Sequence, residues 1–286
     1  MDTTVDRTAT AAEPMGEPTE ADVRVGASGE APLDGIPRQR AATAEPARGP
    51  STRATWPWHP WRLLPTPTGT PFTFWYATVV LVTSLIAEHA DPSLVHALHQ
   101  GSSTDVAHLV RNPVLVLVAS ALWVVGGVFS PYGIGFLLAL TALERRLGGM
   151  RTAGVFLLGH VLATLCTEIP VGLAVLAGHL PESSLHRLDY GISYGVGACV
   201  GALAGLLTPW LRWPILITFG GALIGDLIAF EDPMTDWGHL LALGVGVAMW
   251  PVVRRWGRRR TVSAATGRDA AQGSLLAAIR RGRDVV

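Results

Sequence analysis

Two reactive side chains stand at matching places in two apolar stretches. In "DYGISYGVGA" (189–198), Ser193 opens a glycine-rich run, and in "TDWGHLLALGVG" (235–246), His239 follows Asp236 by three residues. A serine hydroxyl becomes a nucleophile when a base within hydrogen-bond reach takes its proton, and imidazole is the commonest such base. Counted inward from Asp189 at about 1.5 Å per helical residue, Ser193 lies about 6 Å deep, and His239 lies nearly level with it when counted from Asp236. At that depth water can still reach both. The same residues also admit a purely structural role. Gly191, Gly195, Gly197, Gly201 and Gly205 surround Ser193 with small-xxx-small spacings that let membrane helices approach closely. Serine fits such a face without doing chemistry, and histidine suits a helix entrance. Both readings stand at this point.

Three further ionisable groups fall inside apolar stretches: His160, Glu168 and Asp226. Facing lipid they would cost several kcal/mol each, so they are expected to face the interior of a helix bundle. Their spacing predicts a buried hydrogen-bonded network, with a metal or proton site as the alternative. No HxxxH or HExxH pattern is present, and no metal or cofactor is expected. His96, His99 and His108 lie in a polar connection and read as solvated faces. Cys166 and Cys199 read as small core residues, since no CxxC pair occurs.

The elements that must position these groups are membrane helices. The chain has 286 residues, 49% hydrophobic and 15% charged, and the charges concentrate at the two ends. Residues 113–143 contain no Asp, Glu, Lys or Arg, enough to cross a hydrocarbon core that needs about 20 apolar residues. Net charge is zero, which gives no global attraction to nucleic acid. All basic residues are arginine, a mark of GC-rich, bacterial coding. Residues 1–55 read as a disordered cytoplasmic leader, and 56–71, with "WPWHPWRLLP", as an interfacial anchor. A membrane domain follows over 72–253, then a basic cytoplasmic tail over 254–286. Six spans are expected, near 72–89, 122–143, 152–178, 190–207, 213–230 and 235–253. Arginines crowd "ERRLGGMR" (144–151), "PWLRW" (209–213) and "RRWGRRR" (254–260), and are sparse in the alternate connections. The positive-inside rule then puts both termini in the cytoplasm of a multi-pass plasma-membrane protein. The connection 90–121 reads as amphipathic helices in the outer interface, and 273–286 as a short basic amphipathic helix or a solvated tail.

Three stretches within this frame resemble the rhomboid intramembrane serine proteases. "ALERRLGGMR" (142–151) resembles the Glu-x-x-x-Gly end of the family's second span, with Glu144 in the matching place. "GISYG" (191–195) resembles the Gly-x-Ser-Gly entrance to the fourth, and "WGHLLALGVG" (237–246) the histidine motif of the sixth. The resemblance implies an all-α, six-span rhomboid-like bundle and a Ser193–His239 dyad needing no carboxylate. It also implies a cleft built by Gly191, Tyr194 and Tyr132, with Glu144 in a structural place. His160, Glu168, Asp226, Asp189 and Asp236 read with Glu144 as a structural polar set, and His160 and Glu168 match no catalytic position of the family. Substrates would be transmembrane segments cut near the outer leaflet of the bilayer. The chain departs from the pattern in three places. Tyr194 replaces the glycine after the serine, while Val128 and Tyr132 stand where the family carries a His and an Asn that face the oxyanion. A pseudoprotease that binds or escorts membrane helices is therefore the alternative, and a metal- or proton-handling protein a third.

Overall fold

The computed structural model describes residues 64–283. The leader, and 56–63 of the tryptophan-rich segment, lie outside the described residues. Every regular element among the described residues is helical. α1 (Pro71–His89) begins on a proline, whose fixed φ and missing N–H suit the first helical position. Three short helices fill the long connection: α2 (Pro92–Gly101), α3 (Val106–Arg111) and α4 (Pro113–Ser120). Asp91 and Asp105 start the first two by accepting hydrogen bonds from the Ser93 and His108 N–H groups.

The second expected span is shorter than its apolar run. Residues 122–130 form turns, with Gly126 and Gly127 at positive φ, and α5 (Pro131–Leu147) starts where Ser130 accepts from Gly133 N and Pro131 takes the first helical position. Hydropathy carries no signal for such a break, whereas the G-G and S-P pairs do. Gly148, at φ 90°, turns the chain directly into α6 (Gly149–Leu176), 28 residues long. A 3₁₀ turn (Glu182–His186) leads to α7 (Ser193–Ala204), then α8 (Pro209–Ala229) and α9 (Pro233–Ala248). α10 (Trp250–Arg283) is one continuous helix, where a short tail helix or a solvated tail was expected over 273–286.

α7 is the hub. Ten of its twelve residues are buried, and it packs on α5, α6, α8 and α9. The first core lies around Leu140, Leu143, Phe136, Phe156, Val196 and Cys199. α1, α6 and α8 are long and apolar enough to cross a membrane, and the α9–α10 pair qualifies as a fourth span bent by 48°. α5 and α7 fall below that length. Trp75, Leu173, Ile217 and Ile228 are among the large apolar side chains left bare on the long helices. Such a belt has no place in water and fits a lipid-facing surface.

Candidate active site

Close backbone packing of α7 on α9 builds the site. A Cβ at Gly246 would collide with the carbonyl of Ala198, and one at Gly201 with Leu243 O and Val247 N. Gly197 faces Ala242 and the His239 carbonyl. The helices run parallel in matched register, so Ser193, one turn before Gly197, lies level with the first turns of α9. The expected shared depth of Ser193 and His239 is thus a consequence of small residues meeting across one seam.

His239 is 7% exposed. Tyr132 of α5 stacks on its ring at 5.0 Å between centroids and 25° between planes, with its hydroxyl 3.3 Å from Nδ1. Asp236 Oδ1 is 4.0 Å from the same nitrogen. Nε2 is buried and has no hydrogen-bond partner. Ser193 is half-buried at the first position of α7, and no hydrogen bond joins its Oγ to His239 among the described residues. The first intrahelical bond of α7 is Val196 N to Ile192 O, which leaves the earlier amides of that turn without a helical acceptor.

The turn before Ser193 is held on several sides. Gly191 adopts φ 127°, a conformation other residues rarely take. Its N–H donates to Ser120 O and that of Ile192 to Trp123 O, each at 3.0 Å. The 120–123 segment hangs in turn from α1, where Tyr76 donates to Ala121 O at 2.6 Å and Thr83 to Leu122 O at 2.5 Å. His160 secures its other side, with Nε2 3.1 Å from both Ser120 Oγ and Leu117 O.

The candidate residues are therefore distributed over several sites. Tyr194 points inward rather than lining an open cleft. It is 3% exposed, fills the space that Gly238 leaves by lacking a Cβ, and meets the His239 ring edge-on at 5.3 Å. Glu144 sits apart, at the start of α1, accepting from Phe72 N at 3.0 Å and Thr73 N at 2.8 Å. His160 and Glu168 are both buried, as expected, but they serve different partners. Asp226 does not join them. It is exposed in the last turn of α8, a helix whose only buried residues are Gly220 and Leu223, and near a helix end a carboxylate can reach water. No three His, Cys, Asp or Glu side chains converge on a metal-sized site among the described residues.

Two groups escaped sequence reasoning. The run Ser102–Thr104 and Asp105, polar by type, is buried against the 187–189 segment: Thr104 N donates to Asp189 O at 2.7 Å and Asp189 N to Ser103 Oγ at 3.0 Å. Burial pushes the Asp189 carboxyl above the ordinary aspartate range, against the pull of nearby Arg187. Arg187 itself pairs with Glu168. Its one visible signal was an arginine in one of the arginine-poor connections.

Described residues that are helical throughout their regular structure, with long apolar helices, a bare apolar belt and a polar site near one end of the bundle, define a multi-pass membrane protein. A family model described as "Rhomboid-like protein" matches residues 68–260, about two thirds of the chain, and the chain belongs to that family. No curated protein and no solved structure matches it.

Proposed function

We propose that the protein is a six-span intramembrane serine protease of the bacterial plasma membrane, with both termini cytoplasmic. Ser193 is the nucleophile and His239 the base. The observation that carries this reading is the His239 imidazole, oriented by Tyr132 at Nδ1 and left with a buried, unpartnered Nε2 level with Ser193. With Nδ1–H donating to the phenol oxygen, Nε2 holds the lone pair. It takes the Ser193 proton as Oγ attacks the carbonyl of a transmembrane segment. The oxyanion meets the free amides at the start of α7, and the imidazolium protonates the departing amine. Water then releases the acyl group by the same proton route. α5 and α7 complete the six spans, α7 being short because protein rather than lipid surrounds it.

One observation favours the alternative, a rhomboid-like protein that binds membrane helices without cutting them. Ser193 makes no hydrogen bond to His239, and Val128 offers the oxyanion no side-chain donor. Fluorophosphonate labelling of the purified protein in mild detergent, beside an active rhomboid, separates the two. The protease reading expects labelling that vanishes in Ser193→Ala and His239→Ala. Tyr132→Phe, which keeps the ring stack and loses the hydroxyl, should slow labelling about tenfold, less than the roughly 10²–10⁴-fold that general-base catalysis itself supplies, because the base is still present. Absence of labelling in folded wild-type protein would establish the non-cutting reading.

A further inference from the structure

Between them, the segment that delivers Ser193 and the helix that carries His239 share one half-buried cation. Arg187 lies six residues before Ser193. Its Nη2 is 2.5 Å from Glu168 Oε1 on α6, while its Nη1 donates to Asp232 Oδ1 at 3.2 Å and to Thr235 Oγ1 at 3.0 Å. Asp232 and Thr235 are the N-terminal cap of α9: Asp232 accepts from the Thr235 N–H at 3.3 Å and from its hydroxyl at 2.7 Å. Thr235 and His239 are four residues apart and so share a helix face. Arg187 therefore grips the turn that sets the rotation and depth of the His239 imidazole.

The grip is anchored at its other end. The Glu168 side chain is 1% exposed and that of Arg187 22%, so the pair is shielded from water and from screening by salt. The Arg187 backbone is fixed as well, since its carbonyl accepts from Ser103 Oγ at 3.3 Å and the following residues are sewn to Ser103 and Thr104. Guanidinium suits this place because its rigid planar fork sets two donor groups apart and holds carboxylates in two directions at once.

We propose that Arg187 is a positioning residue that aligns the Ser193 turn with His239 by clamping the α9 cap to Glu168. The alignment role rests on the Ser193–His239 reading, whereas the clamp itself does not.

The test uses the full chain in detergent, with Cys166→Ser and Cys199→Ala, and nitroxide labels on Leu188→Cys and Trp237→Cys, both exposed positions on the two elements joined. Electron–electron double resonance then reads the distance between the two labels. The clamp expects a narrow distribution that broadens in Arg187→Gln and is partly restored in Arg187→Lys. Because Arg187→Gln strands a buried carboxylate and can impair folding, Asp232→Asn serves as a second variant: its side chain is 54% exposed, and asparagine keeps the cap while losing the charge. It should broaden the distribution too and lower the fluorophosphonate labelling rate of Ser193 about tenfold, within the range that small misalignments cost. An unchanged distribution in folded Asp232→Asn and Arg187→Gln overturns the clamp. A broadened distribution with undiminished labelling overturns the alignment role. A broadened distribution in a protein whose wild type takes no label leaves the clamp standing and removes the protease reading.

Discussion

Glu144 illustrates what a single buried side chain does in this fold. α1 starts Thr70–Pro71, and Thr70 makes no side-chain cap, so the Phe72 and Thr73 amides lack a local acceptor. A carboxylate more than 70 positions later in the chain receives both, and the Thr73 hydroxyl at 2.7 Å as well. It places negative charge at the positive end of the helix dipole and satisfies two orphan donors together. Glutamine is nearly the same size, but it is neutral and puts an N–H₂ where an acceptor is needed. Glu144→Gln should therefore destabilise the fold by about 2–3 kcal/mol, combining the dipole term with one unsatisfied amide. Equilibrium unfolding in mixed micelles checks this, and a change below about 0.5 kcal/mol would show that another group caps α1. Ser193 and His239 were legible as residues because their types and depths sit in the sequence. Their neighbours were less so: Tyr194 has the same composition whether it points to the cleft or to Gly238.

Among the elements, α7 and α9 decide the site, and they do so through what they lack. With Gly197, Gly201, Ala242 and Gly246 on one seam, the backbones come near enough that a single methyl at Gly246 meets the Ala198 carbonyl, an atom that cannot step aside. Gly244, two residues earlier on the same helix, faces open space. Gly246→Ala should cost about 2–3 kcal/mol through overpacking, while Gly244→Ala should be neutral or stabilising by up to about 1 kcal/mol through helix propensity. The same unfolding assay compares them. Equal effects would mean that the seam is looser than described. The glycine face around Ser193 was readable from small-residue spacing, whereas the helix it meets was not, nor was the start of α5, because the turn signals at Gly126, Gly127 and Ser130 lie inside an uninterrupted apolar run.

At the scale of the whole molecule, the arginine-rich connections and the bend between α9 and α10 belong to one end. There Arg212 and Arg254 lie over the Trp250 ring at 5.1 and 4.9 Å, and Arg260 donates to Glu144 O at 3.2 Å. The site residues sit at the opposite end of α7 and α9. The proposed six spans, taken with the positive-inside rule, predict both termini in the cytoplasm. Fusing a cytoplasm-active fluorescent reporter or a periplasm-active phosphatase to each terminus tests this, with the fluorescent signal expected at both. Phosphatase activity at one terminus alone would require an odd number of spans. By itself, the sequence determined the membrane class, the approximate helices and the small-residue face around Ser193, because hydropathy, composition and helical period are local properties. Only the tertiary structure decided that Glu168 pairs with Arg187, that Asp226 lies apart from His160 and Glu168, and that Tyr194 turns inward. Each of those outcomes depends on how a helix is rotated about its axis. One residue turns it by about 100°, and that angle is set by partners tens of residues away.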